Sequence, residues 1–472
     1  MKYWQYLIPV IALILMSLPT MYPQPVLQTD GIAYYGFAKT WSETGSFEAD
    51  VPEYYRFASV QESKVGHYTP FVTVTLGILL KMGGDVLWLN GIYCGLLFAM
   101  AAWFIYLLSN YLKINPLLVL PLALLNIRPY FTAWVGSLTA FAGFAFSIPA
   151  VYYAIKFFDS NDWQDGFWAL AFLLLTGLSY IQFVLYTLTL FVILFIARLM
   201  KNMEITWPKV RAKTFKIKWK SGWLVVVGAA ITAVIIKVFM FAASGRKGYI
   251  TDYVNYLMQN GVGYPRIWEL PVLTDNAIVV ALAIGGLAYA IYKQRWYLVA
   301  LAAGTLGCLL SGPLLGLSNA WIFTYVLRFY TLNAVFLALL AGYLIQRLWK
   351  YKLTKIVFGV AVAAQLVMFI AFASMVQPAI TAEEMHVSNL LQSTNKPITF
   401  VENVDFGNNF AEPAWIMAFA QPQAFEVVFE VPDYLPAGLV LVEDKTVLTK
   451  DELKLLSFRK VVYEGEKVLL VE

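Results

Sequence analysis

The segment "QTDGIAYYGFAKTWSETGSF", Gln28 to Phe47, follows an apolar N-terminal run and at once presents a carboxylate, Asp30. If residues 30–42 are helical, Asp30, Tyr34, Phe37 and Trp41 share one face at i, i+4, i+7, i+11 spacing, and the acid looks along an aromatic wall. Two roles suit an acid at that point. It can accept a proton from a substrate hydroxyl, or Thr29 or Asp30 can cap the helix by satisfying free backbone donors, which is the plainer reading. The same polar stretch carries Glu43, Glu48, Asp50, Glu53, Arg56, Glu62 and Lys64, which read as a solvated face, and ends at His67 in "GHYTPF", beside a helix entrance. Cations recur further on. Arg246 and Lys247 in "SGRKGY" and Arg328 in "YVLRFY" stand at the ends of apolar runs, where they either snorkel to the interface or meet an anion; Lys237 within "AVIIKVFM" reads as a snorkelling residue.

Long apolar elements must position these groups. The chain is 60% hydrophobic and only 13% charged over 472 residues, against roughly 25% charged for a soluble domain. Apolar runs near the roughly 20 residues that cross a hydrocarbon core recur through the first 376 residues, which defines a polytopic α-helical membrane protein. Spans are expected at 5–22, 69–82, 86–108, 114–127, 131–157, 164–200, 221–243, 275–292, 296–314, 320–346 and 354–376. The stretch 164–200 is long enough for two crossings, with a break in "TGLSYIQ". The first run lacks a small-x-small cleavage site in "SLPTMYPQP" and is read as a spanning helix rather than a signal peptide.

Charge divides the chain. From Gln377 onward there are 15 Asp and Glu against 7 Lys and Arg, a balance of −8, so with a net charge of +5 for the whole chain the preceding membrane portion carries +13. The loop Lys201 to Lys220 holds seven basic residues and one acid, and is cytoplasmic by the positive-inside rule; its Lys, Arg, Phe and Trp suit anionic headgroups. The basic turns "KQR" and "QRLWKYK" fall on the same side. A cytoplasmic N-terminus then favours about 11 crossings and puts residues 244–274 and the tail outside the cytoplasm. The tail alternates β-like runs, "PITFVENV", "AFEVVFEV", "GLVLVE" and "KVVYEGEKVLLVE", with a helix near Thr449 to Phe458, which makes a small mixed α/β domain. Two domains follow: 1–376, with a first outer loop at 23–68, and 377–472. Cys94 and Cys308 lie in apolar segments, and His67 and His386 stand apart, so no Cys- or His-based metal site is suggested. No internal repeat is present.

A T-D-x-x-x-Y-x-x-x-A-like helix, then "HYTPF" leading into an apolar run, resembles the first outer loop of GT-C superfamily glycosyltransferases, multi-pass enzymes that take sugars from polyprenyl-phosphate carriers. "YVLRFYTLNAVFLALLAGYL", Tyr325 to Leu344, is similar to the family's late R-Y helix, with Arg328 and Phe329 at that pair and Asn333 near a usual proline. The resemblance implies an integral membrane glycosyltransferase, hexosyl or pentosyl, acting with inversion on a lipid, glycan or protein acceptor outside the cytoplasm. It implies Asp30 as the base, Arg328 with Arg246 or Lys247 on the lipid phosphate, and Tyr34 and His67 lining the pocket. No cofactor is indicated, a divalent metal stays open, and nucleic acid is not an expected partner. Two departures matter. Asp30-Gly31 stands where many relatives have Asp-Glu, and "NIRPYFTAWVGSLTAF" offers Arg128 and Ser137 where several have a second acid. A lipid or sugar transporter or flippase, and a catalytically silent GT-C-like scaffold, remain the alternatives, although transporters commonly show paired repeats.

Overall fold

The computed structural model describes residues 4–26, 29–52, 64–67, 70–83, 88–134, 137–201, 203–206, 209–212, 276–304, 319–392, 394, 396–401, 411–421, 424–428, 431 and 437–472, some of them, including 29, 30, 67 and 319–330, by backbone path alone. The expected span 221–243 and the cations Lys237, Arg246 and Lys247 lie outside the described residues. The chain divides into two compact units.

The first unit comprises Met1–Met16, Cys94–Ala133 and Leu138–Met375. Its helices are α1 (Leu7–Ser17, shared at its end with the second unit), α4 (Tyr93–Tyr111), α5 (Pro116–Leu124), α6 (Ile127–Trp134), α7 (Leu138–Ser160), α8 (Trp163–Ser179), α9 (Ile181–Lys201), α10 (Ala277–Tyr292), α11 (296–304), α12 (Asn319–Leu348) and α13 (Lys352–Ser374). Elements α2 (Thr29–Thr44) and α3 (Pro70–Lys81) belong to the second unit. Burial orders this bundle. The apolar window of α7 is 89% buried and that of α13 only 17%, so α7 is the interior helix, and α13 turns a continuous apolar surface outward, as a lipid-facing helix must. Among the described residues, five helical stretches are long and apolar enough to cross a membrane.

Several expected spans are revised. The 164–200 run is two helices, broken at Tyr180, inside the "TGLSYIQ" stretch. The 131–157 span begins at Leu138, because α6 ends at Trp134. The helix expected at 69–82 is α3, Pro70–Lys81, whose 12 residues reach about 18 Å and fall short of a core roughly 30 Å thick. At the end of α7, Asp159 gathers neighbours from three other helices: its carboxylate accepts from Tyr111 Oη (3.0 Å), Tyr297 Oη (2.8 Å), Lys201 Nζ (2.8 Å) and Arg198 Nη1 (3.3 Å). A short antiparallel hairpin, β1 (Met203–Thr206) and β2 (Lys209–Ala212), opens the basic loop.

The second unit comprises Ser17–Tyr93, Trp134–Ser137 and Val376–Glu472. It holds α2 (Thr29–Thr44), α3 (Pro70–Lys81) and the tail. The tail contains α14 (Ala382–Leu391), β3 (Ile398–Val401), α15 (Ala411–Ala420), β4 (Phe425–Val428), β5 (Leu439–Val442), α16 (Lys450–Leu456), β6 (Val461–Glu464) and β7 (Leu469–Val471). The sheet order is β4-β3-β5-β7-β6, with β3 parallel to β4 and β5, and β7 antiparallel to β5 and β6. All four expected β runs and the 449–458 helix are present. Val401, Val440, Val442, Leu456, Leu469 and Val471 form the core, the apolar content expected of central strands. Capping boxes Thr381/Glu384 and Thr449/Glu452 begin α14 and α16, each closing two free backbone donors.

Candidate functional site

Asp30 stands in the first turn of α2, inside the helix by its backbone rather than before it. The expected amphipathic face is not what positions this helix. Gly31 to Ala38 are all buried, with Tyr34 at 4% and Phe37 at 0% exposure, and Trp41 is half-buried. Two layers clamp α2. Tyr35 meets Trp415 and Phe419 of α15 with ring centroids 5.9 and 6.1 Å apart. On another side α3 comes so close at Gly77 that an added Cβ would lie 2.7 Å from the Trp41 ring and 2.8 Å from the Ala38 carbonyl. Only a residue without a side chain permits that approach.

The loop after α2 is closed on itself. Gly66 N donates to Phe47 O (2.7 Å), Val65 N to Ala49 O (3.0 Å), and Asp50 bridges Lys64 in antiparallel fashion. His67 ends the short 3-10 turn Val65–His67 that follows, three residues before α3 begins. Asp30, Tyr34 and His67 therefore belong to one compact unit, the first two a helical turn apart. Lys64 pairs with Glu48 at 2.9 Å, in keeping with a solvated face.

Arg328 lies in α12, in the first unit. The part of α12 just after it is pinned by buried polar pairs. Thr331 Oγ1 and Thr132 Oγ1 of α6 are 2.8 Å apart, and Tyr186 Oη of α9 donates to Asn333 Oδ1 at 2.7 Å. Asn333 is fully buried, and its Nδ2 has no partner among the described residues. Of the positions noted where relatives carry a second acid, Arg128 donates its backbone N–H to Asn126 Oδ1 (2.8 Å) at the start of α6, and the Ser137 hydroxyl is buried without a partner among the described residues. Among the described residues no three His, Cys, Asp or Glu side chains gather where they could hold a metal ion.

One residue escaped the sequence reading altogether. Asn90, 1% exposed, sits in a single π-helical turn, Trp88–Ile92, that leads into α4. Its Oδ1 accepts from Val26 N (2.7 Å), and its Nδ2 donates to Gln24 O (2.6 Å) and Tyr22 O (3.3 Å). The signal lay in "MYPQPV": Pro23 and Pro25 have no N–H, so this stretch cannot pair as a regular strand and its half-buried carbonyls are left to side-chain donors.

No family model matches the sequence, and no curated protein matches it. Among solved structures, ArnT from Cupriavidus metallidurans in the apo state superposes with a TM-score of 0.58 at 11% identity, over 100% of this chain and 98% of that one. The oligosaccharyltransferase of Archaeoglobus fulgidus matches with a TM-score of 0.46 at 13% identity, over 90% of this chain and 65% of that one. The first spans both chains end to end, and with the apolar bundle and the small sheet already described it shows that this multi-pass membrane protein shares the fold of that ArnT.

Proposed function

We propose that the protein is a membrane glycosyltransferase that moves a sugar from a polyprenyl-phosphate carrier to an acceptor outside the cytoplasm, with inversion. The observation that carries this reading is the end-to-end likeness to ArnT, a GT-C glycosyltransferase, in a chain whose first outer helix begins with an acid. In this mechanism Asp30 removes the proton of the acceptor hydroxyl as its oxygen attacks the anomeric carbon. The bond from that carbon to the phosphate oxygen breaks, and the electron pair leaves with the polyprenyl phosphate. A phosphate departs as a stable anion, so fixed positive charge matters more than an acid for the leaving group. Arg328, with Arg246 or Lys247, holds that phosphate, a forked guanidinium matching its oxygens. Tyr34 and His67 line the sugar pocket. Residues 1–376 form the transferase domain and 377–472 an extracytoplasmic domain that meets acceptor.

Asp30→Asn in purified, membrane-reconstituted protein is expected to lower transfer from labelled polyprenyl-phosphate hexoses and pentoses by about 10²- to 10⁴-fold, the usual worth of a general base. Unchanged transfer removes Asp30 from the mechanism, and no transfer by the parent with any such donor favours transport or a silent scaffold. Arg328→Lys keeps the charge and loses the fork, so it is expected to lower kcat/KM by about tenfold or more. Full activity in that variant would refute a bidentate phosphate contact.

A further inference from the structure

We propose that Asn90 is a positioning residue for Asp30, acting through the proline strap Tyr22–Val26. This rests on the reading of Asp30 as the base. The strap is the last described stretch before α2, and Val26 stands four positions ahead of Asp30 in the chain.

The case is one of hydrogen-bond supply. Pro25 and Val26 are buried, and two of the five strap residues are prolines without a donor. Tyr22 and Gln24 are half-buried, and a carbonyl shielded from water without a partner costs more than a made hydrogen bond gains. Asn90 meets three strap groups at once, the carbonyls of Tyr22 and Gln24 and the N–H of Val26, which uses both amide hydrogens and one oxygen lone pair. No other residue type of that size donates twice and accepts once. The Pro25 carbonyl is met separately by Ala379 N at 2.6 Å, and Tyr22 Oη donates to Val376 O at 3.2 Å. The clamp itself is braced. Ser17 Oγ donates to the carbonyl of Gly91, next to Asn90, at 3.1 Å, and a Cβ at Gly91 would lie 2.7 Å from Thr20 Oγ1 and 2.9 Å from Ser17 O. A π-helical turn, often found at functional sites, is what brings Asn90 to face the strap while α4 continues.

An Asn90→Asp variant tests this without changing shape. Its ionised carboxylate still accepts from Val26 N–H but faces two carbonyl oxygens and repels them. When protonated it is neutral and donates to one of them again. In the full-length chain in nanodiscs, hydrogen exchange of the peptides covering residues 22–32 and transfer from labelled polyprenyl-phosphate sugars are measured from pH 5.5 to 8.5, beside the parent and Asp30→Asn. At high pH the expected result is faster exchange at Val26 and a kcat about ten- to a hundredfold below the parent, with KM nearly unchanged. Both ratios to the parent return toward one as the pH falls. A merely structural asparagine would lower the amount of folded protein and leave the shape of the kcat profile alone. If Asp30→Asn is inactive while Asn90→Asp keeps a parent-like profile or parent-like exchange, the positioning role falls and the base reading stands. If Asp30→Asn turns over like the parent, the base reading fails and this proposal fails with it.

Discussion

In the tail a single carboxylate joins α14 to the hairpin of β6 and β7. Glu383 accepts from the backbone N–H groups of Glu466 (2.6 Å), Lys467 (3.1 Å) and Val468 (3.1 Å). Partial burial raises its pKa, but these donors, with Lys445 nearby, outweigh that and hold it below the ordinary glutamate value. A carboxyl with a depressed folded pKa contributes stability above its unfolded pKa, and that stability is lost as the pH falls through the folded value. Glu383→Gln is therefore expected to destabilise the tail at pH 7 by about 1 kcal/mol, allowing for screening by solvent, with the gap to the parent closing below about pH 4. Thermal unfolding of the full chain across that range checks it, and a gap independent of pH would show that the charge is not what matters. Glu383 was visible in the sequence only as one of 15 acids in a tail read by its net charge. Asn90 was hidden for a related reason: one polar residue in "VLWLNGIYCGLLF" vanishes when an apolar run is averaged. Asp30 was conspicuous because it follows apolar residues directly.

Helix α2 illustrates how an element can be placed by close approach rather than by amphipathic period. Its buried residues run unbroken from Gly31 to Ala38, so the 3.6-residue pattern sought over 30–42 is absent there, although the helix forms over 29–44. What sets its axis on the α3 side is Gly77. Gly77→Ala places a methyl against the Ala38 carbonyl, a backbone atom that cannot turn away, so α2 and α3 must part. The expected outcome is a folded membrane protein with transfer reduced about tenfold or more, since small displacements at a reacting centre are costly. Circular dichroism and transfer assays on one preparation check it; parent-like activity would mean that the spacing between α2 and α3 is not set at Gly77. The break at Tyr180 was legible because "TGLSYIQ" interrupts an apolar run too long for one crossing. The shortness of α3 was not, since "PFVTVTLGILL" is as apolar as a spanning segment and only the helix end at Lys81 shows otherwise.

At the scale of the whole molecule, composition and pattern were enough to read a polytopic helical bundle and a small α/β tail, because lipid demands long apolar helices and the tail's strands alternate on a short period. The second unit was beyond such reading: it joins residues 17–93 to 376–472, stretches that charge and hydropathy along the chain keep far apart. Orientation is a separate matter, and the basic turns argue it. The turn after α10 places Lys293 Nζ 4.5 Å from the Tyr292 ring, and the turn after α12 places Lys350 Nζ 4.9 Å from Tyr351, with Arg347 over Tyr343 at 5.4 Å. Cations resting on tyrosines at helix ends are what an interfacial belt consists of, and Lys and Arg in short loops are retained on the cytoplasmic side. Past α13 the tail has no Lys or Arg before Lys396, so no such signal stands beside that span's end. Gln294 and Lys454 are both exposed, one in a basic turn and one in the tail. In intact cells, a membrane-impermeant maleimide is expected to label Lys454→Cys and to spare Gln294→Cys, which reacts only after the membrane is opened. The reverse pattern would put the tail on the cytoplasmic side and take the acceptor-facing role from it. Equal labelling of both before opening would mean that α10 and the tail's anchor, α13, do not end on opposite faces of the bilayer, and the count of crossings between them would have to change by one.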